Sequence, residues 1–151
     1  MRIRVVAGAL FDACGRVLIA QRPAGKHLAG RWEFPGGKIG EGESSTAALV
    51  RELREELDVE VEAGDCRHLM TLDHAYPDRE VELQLYVVSG WRGTIRALDG
   101  QGLKWVEPPA LDAEDILEAD RPFAAALQRL GPFTAIIDCA AALGAAAPAG
   151  V

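Results

Sequence analysis

The stretch Ser45–Leu57 reads as one helix with two opposed faces. Val50, Leu53 and Leu57 recur at helical i, i+3 and i+7 spacing, with Leu49 at the edge of the stripe, so this side goes to a core. Glu52, Glu55 and Glu56 fall together on another side, because 52 to 55 and 52 to 56 are i,i+3 and i,i+4 neighbours. Like charges at these spacings cost roughly a few tenths of a kcal/mol per pair, so an isolated helix gains nothing from them. On the acids alone two readings stay open. They form a solvated face with Arg51 and Arg54 as ordinary i,i+4 partners, or they hold a divalent cation, for which carboxylate oxygens are natural ligands.

The bulk properties narrow what such a helix can serve. A chain of 151 residues suits one domain with a real core. A net charge of −7 leaves no basic face for a long phosphodiester backbone, so duplex nucleic acid is not an expected partner. A small polyphosphate is compatible with the acidity if a divalent cation stands between carboxylates and phosphates. Cys14, Cys66 and Cys139 are odd in number and unpaired by CxxC spacing, which points to reduced thiols rather than disulfides or zinc. The N-terminus reads at once as a strand, and no apolar run approaches membrane-spanning length. A soluble, cytoplasmic protein without a membrane partner, monomeric or weakly dimeric, is the expectation.

Ile3–Leu10 and Arg16–Gln21 are β-rich runs separated by Asp12-Ala13-Cys14-Gly15, a hairpin-type break, and are expected to pair. A loop over Pro23–Arg31 leads to a short extended piece, Trp32-Glu33-Phe34, and a turn at Pro35-Gly36-Gly37. Gly40-Glu41-Gly42 then precedes Ser44 and Ser45, either of which can cap the helix. Val59–Cys66, His68–Ala75 and Val81–Ser89 read as strands, as does Leu103–Val106; Asp112–Leu117 reads as one or two helical turns. Arg121–Leu130 reads as a terminal helix with Pro122 in its first turn and Asp120 as N-cap. The order implies an α+β fold, a mixed β-sheet sandwiched between helices, as a single domain over 1–131. Residues 132–151 form an Ala/Gly-rich tail with little apolar volume, expected to be mobile or the remnant of a longer fusion.

The surroundings of the acidic helix decide between its two readings. From Gly37 there are five residues to Glu43 and seven more to Arg51-Glu52-Leu53-Arg54-Glu55-Glu56-Leu57-Asp58-Val59. This resembles the signature of the Nudix hydrolases, matched at every fixed position except one, where the family's Gly is Asp58. That position lies just past the helix end, where a left-handed backbone is often needed. Asp tolerates it at a cost of roughly 1 kcal/mol. The resemblance implies that Glu52, Glu55 and Glu56 are ligands of Mg²⁺, with Mn²⁺ as a substitute, and that the Gly36 carbonyl completes the shell. One of these glutamates or a loop acid would also orient the attacking water. Arg51 and Glu43 would be the supporting pair that aims the glutamates.

Gln21-Arg22-Pro23, His27, Trp32 through Ile39, Tyr76-Pro77-Asp78-Arg79 and Asp99-Gly100-Gln101 resemble the MutT subgroup of that family over about Val5 to Leu130. The resemblance implies hydrolysis of an oxidised purine triphosphate, 8-oxo-dGTP, to monophosphate and pyrophosphate, which cleanses the nucleotide pool. By it, Arg22 would contact phosphate or sugar, His27, Phe34 and Tyr76 would line the nucleotide's cleft, Lys38 would approach the phosphates and Asp99 would reach metal or water. The plainer readings are surface charge for Arg22 and Lys38, core for Phe34 and packing for Trp32. Asp120 stands where the subgroup places an Asn that reads the base edge. It is an N-cap or a base reader, and as a reader it favours a CTP or damaged-pyrimidine substrate. A domain that only recognises nucleotides is the alternative of another class, and the intact glutamates argue against it.

Overall fold

The computed structural model describes residues 2–130. Strand β1, Arg2–Leu10, is buried without interruption from Val6 to Leu10, the mark of a central strand covered on both faces. It pairs in parallel with β6, Arg79–Val88, and antiparallel with β4, Gly36–Lys38. Outside β6 lies β5, Cys66–Tyr76, so the mixed sheet runs β4-β1-β6-β5.

Both edges of β1 are thereby occupied, which corrects the expected pairing of the first two runs. Strand β2, Val17–Gln21, meets β1's end only through one bridge from Phe11 to Val17 and then diverges. Buried Asp12 makes the break: Oδ1 accepts the N–H groups of Cys14 and Arg16 at 3.0 and 2.9 Å, and Oδ2 accepts Arg16 Nε at 2.7 Å. Strand β2 instead centres a second, antiparallel sheet between β3, Trp32–Glu33, and β7, Leu103–Val106.

Alternation along β1 divides the core in two. Val6 and Leu10, with Leu18, pack against Leu49, Leu53 and Leu57 of helix α1, Ser45–Leu57. Ala7 and Ala9, with Ile19, Val81, Leu83 and Leu85, pack against Phe123, Ala124 and Leu127 of a second helix, α2, over 121–130. The sheets thus lie between two helices, as the α+β reading requires.

Three local expectations change. Val59–Cys66 is not a strand. Val59 and Val61 are buried singly, Glu60 bridges only to Arg92, and a 3₁₀ turn covers Ala63–Asp65 before β5 begins. Gly36 and Gly37, expected in a turn with Pro35, belong to strand β4, Gly36–Lys38. The helical turn foreseen at 112–117 comes earlier, as a 3₁₀ segment over Pro108–Ala113. Cys14 and Cys66 are free thiols. The tail at 132–151, with Cys139, lies outside the described residues. Among the described residues no helix is long and apolar enough to cross a membrane.

Candidate active site

Helix α1 starts and stops where its sequence says. Ser44 Oγ accepts the Ala47 N–H at 3.1 Å, and Asp58 takes a left-handed backbone at φ 60°, ψ 35° with its N–H on the Arg54 carbonyl. The helix so bounded packs against β4 and sets Glu52 on Gly37. A Cβ at Gly37 would sit 2.5 Å from the Glu52 carboxyl carbon, and one at Gly36 would run into the Val6 carbonyl. Gly36 thus lets β4 close on the central strand, and Gly37 lets the Glu52 carboxylate close on β4.

Arg51 is the hub. Its Nε and Nη2 donate to the two Glu43 carboxylate oxygens at 2.8 and 2.9 Å, a bidentate pair. Nη1 donates to Glu52 Oε2 at 2.8 Å and to Glu55 Oε1 at 3.1 Å, and Nη2 also reaches the Lys38 carbonyl. Glu43 in turn accepts the Gly40 N–H at 2.8 Å. Bonding to Arg51 and Gly40 holds the Glu43 carboxyl down at about 2, and its partners hold the Arg51 guanidinium well above its ordinary range. The supporting pair thus joins the loop before α1, strand β4 and two of the three glutamates.

Glu56 has no such cation. Burial pushes its carboxyl up to about 8, helped by the charges of Glu52, Glu33 and Asp99 and opposed by a backbone hydrogen bond from Gly36. The Asp99 loop is fastened to the end of α1. Asp99 N–H donates to Gln101 Oε1, buried Gln101 Nε2 donates to the Glu56 carbonyl at 3.2 Å, and Leu98 N–H reaches the same carbonyl at 3.1 Å.

From Glu52, Glu56 and Gly36 a cleft of about 390 Å³ runs to Asp120, floored by Val5, Val81 and Leu83. Asp120 ends a 3₁₀ turn, Glu118–Asp120, ahead of α2. Its Oδ2 accepts the Phe34 N–H at 3.1 Å, so the carboxyl turns into the molecule towards the chain just after β3. Burial and the charge of Glu33 raise the Asp120 carboxyl to about 7, against the lowering effects of Phe34 N–H and Arg22.

The other candidates divide. His27, Lys38 and Tyr76 line the cleft, the first two exposed and Tyr76 beneath the Arg79 guanidinium at 5.0 Å from its ring. Phe34, only 3 % exposed, serves both readings, as a core residue that also lines the cleft. Arg22 also lines the cleft, with its Nη1 on Glu33 Oε1 at 3.0 Å and its Nε on the His27 carbonyl at 2.7 Å. Glu55 is exposed and turned to Arg51. Trp32 lies against Lys104, 4.7 Å from its ring, and not in the cleft.

Sequence reasoning missed Glu33, whose carboxyl burial raises while Arg22 holds it down. Its charge is felt at both Glu56 and Asp120. The available signal was a carboxylate between Trp32 and Phe34 in a short strand.

The donor set fits a hard divalent cation. Oxygen donors cluster at the cleft's end, and two carboxylates crowd one another there. Among the described residues no three His, Cys, Asp or Glu side chains converge, so Glu52, Glu56 and the backbone of Gly36 are the core of what the site offers.

Carboxylates on a glycine-paired helix and strand, opening into a cleft lined by α1 and by strands of both sheets, are the site of a hydrolase acting on phosphoric anhydrides. The model of the NUDIX domain matches residues 6–126. The chain is 36 % identical over 130 residues to a CTP pyrophosphohydrolase of Escherichia coli, covering 86 % of this chain and 95 % of that one. It is 33 % identical over 129 residues to an 8-oxo-dGTP diphosphatase of the same organism, covering 85 % and 98 %. The solution structure of the Escherichia coli ORF135 protein superposes with a TM-score of 0.76 at 36 % identity, covering 85 % of this chain and 90 % of that one. The chain belongs to the NUDIX domain family.

Proposed function

We propose that the chain is a Mg²⁺-dependent nucleoside triphosphate pyrophosphohydrolase that takes 8-oxo-dGTP to its monophosphate and pyrophosphate. One observation carries this reading: a single cleft has Glu56, a carboxylate with no cation partner among the described residues, beside Glu52 at one end and buried Phe34 and Asp120 at the other. A triphosphate laid along it places its phosphates at Glu52 and Glu56 and its base at Phe34 and Asp120.

Glu52, Glu56 and the Gly36 carbonyl would hold Mg²⁺, or Mn²⁺ in its place, with Glu55 and Asp99 as further oxygen donors, and the ion would supply neutralisation of the phosphate oxygens and of the leaving pyrophosphate. The chain's residues supply the rest. Arg51 and Glu43 hold Glu52 and Glu55 in register, and Lys38 adds positive charge at the rim. A carboxylate of this set takes the proton from the water that attacks phosphorus as the anhydride bond breaks.

Asp120 supports a second reading within the same chemistry, a preference for CTP or damaged pyrimidine nucleotides. A carboxyl titrating near 7 accepts hydrogen bonds when ionised and can also donate one when protonated, so it suits base edges that an Asn would rank differently. The test is a panel of 8-oxo-dGTP, dGTP, CTP and dCTP with Mg²⁺ or Mn²⁺, read by pyrophosphate release. Highest kcat/KM for 8-oxo-dGTP supports the first reading, strong CTP preference replaces it with the second, and no turnover of any member leaves a recognition domain.

A further inference from the structure

Among the described residues only Asp58 and Leu28 combine a side chain with positive φ. Asp58 closes a helix. Leu28, at φ 58°, stands in a turn closed by the Ala29 N–H on the Lys26 carbonyl, a position that suits glycine or asparagine, and it is 41 % exposed, so neither backbone preference nor burial explains why a branched apolar residue stands there. Conformational cost of this kind persists only where neighbouring structure imposes it, and such positions gather at ligand sites.

What imposes it is a clasp around the loop over 22–31. Arg22 Nε bonds the His27 carbonyl at 2.7 Å, and Glu33 anchors the same guanidinium at 3.0 Å. Gly30 N–H returns to the Arg22 carbonyl at 2.9 Å, and Gln21 Nε2 holds the Gly30 carbonyl at 3.1 Å. Within the loop, Ala29 N–H reaches the Lys26 carbonyl and Arg31 N–H the Leu28 carbonyl, at 3.1 and 3.2 Å. Leu28 is therefore set in place before any ligand arrives.

The clasp also decides which end of the cleft Leu28 serves. The Leu117 N–H bonds the Trp32 carbonyl at 2.9 Å, which seats the segment leading to Asp120 beside the loop. Leu28, Leu117, Ala119 and Asp120 line the same cleft. We propose that Leu28 is a base-contacting residue, held by the Arg22–Glu33 clasp so that its side chain covers the face of the nucleobase whose edge meets Asp120 and Phe34. A base presents hydrogen-bonding atoms only at its edge and a weakly hydrated face above and below. An apolar side chain in a preformed wall recovers that face at small ordering cost. Val5, Val81 and Leu83 add apolar surface to the same cleft. Arg22 and Glu33 act as positioning residues for this wall.

This inference rests on the nucleotide-hydrolase reading, and its test separates the two. Leu28→Gly, Leu28→Asn and Leu28→Met are made in the full chain, and KM, kcat and Tm are measured with the wild type's best substrate. Gly and Asn accept the left-handed backbone, so both keep the loop and lose only the apolar side chain. Both are expected to melt no lower than wild type and to raise KM about tenfold with kcat within about twofold. Leu28→Met should recover most of the lost affinity. KM within twofold of wild type for both Gly and Asn variants, or a loss confined to kcat, overturns the role of Leu28 while the hydrolase reading stands. Absence of turnover by the wild type on every nucleotide overturns both.

Discussion

The two ends of the cleft are built in different ways. The carboxylate end is local: residues 36–56 form one strand, one loop and one helix, and Arg51 alone ties Lys38, Glu43, Glu52 and Glu55 together. The other end, where the proposed reading seats the base, is assembled from distant pieces. Phe34 N–H meets an Asp120 carboxyl 86 residues on, and the loop over 22–31 leans on the segment at 115–117. A local unit keeps its geometry wherever its own spacing is kept. An assembled pocket changes whenever either partner changes, so on the proposed reading the first end sets the reaction and the second the choice of base.

Removing chemistry from the local end should have the largest effect. Glu56→Gln is expected to lower kcat by roughly a thousandfold or more, the scale of losing several kcal/mol of charge stabilisation in the transition state. Stability should not fall, because the substitution keeps an acceptor for the Gly36 N–H and removes a buried carboxyl from beside Glu52. Steady-state pyrophosphate release together with a melting curve checks both parts. A folded Glu56→Gln protein retaining a tenth of wild-type kcat would mean that the reaction does not take place at this end.

At the assembled end the expected change is one of preference and of pH dependence. Asp120 titrates near 7 in the folded chain against an ordinary 3.8. Its folded value is raised, so the native state holds the proton more tightly. The contribution to stability is complete below about pH 4 and is lost as pH rises through about 7. Asp120→Asn keeps an oxygen for the Phe34 N–H and never ionises. The difference in Tm between variant and wild type should therefore open in favour of the variant between about pH 4 and pH 7 and stay level above that. The ratio of kcat/KM for 8-oxo-dGTP over CTP should also rise, with little change in kcat for the preferred substrate. A pH-independent Tm difference would place Asp120 outside the electrostatics described here, and an unchanged ratio would move base selection elsewhere.

The same division explains what could be read in advance. Helix α1, its Ser44 cap, the Asp58 stop and the Arg51–Glu43 pair were legible because each is a relation between residues a few positions apart. The pairing of β1 was not legible, because an uninterrupted apolar strand says that it is central without saying what flanks it. Strand β4 was hidden for a related reason. Gly36 and Gly37 look like a turn, and only the packing of Glu52 and Val6 against them shows that close approach was the need. Arg22 was legible as a candidate, and it does line the cleft, but its clasp was not legible, since its partner Glu33 carries no pattern of its own.

The smallest expected effect tests whether the local end is as self-contained as its contacts imply. Asp58 replaces the family's glycine in a left-handed conformation, and the backbone makes the same closing bond to Arg54 that a glycine would make. Asp58→Gly removes the Cβ conflict, worth about 1 kcal/mol, and loses an exposed pair with Arg96 at 3.6 Å that contributes little in solvent. Glycine also gains freedom in the unfolded chain, which offsets part of the gain. A net rise in Tm of about 1–3 °C follows for a domain of this size. Because the carboxylate end is aimed by Arg51 and Glu43 and not by the helix stop, kcat and KM should not move with Tm. A gain in activity larger than the gain in stability would show that the C-terminal end of α1, to which Gln101 and the Asp99 loop are fastened, also adjusts the reacting groups.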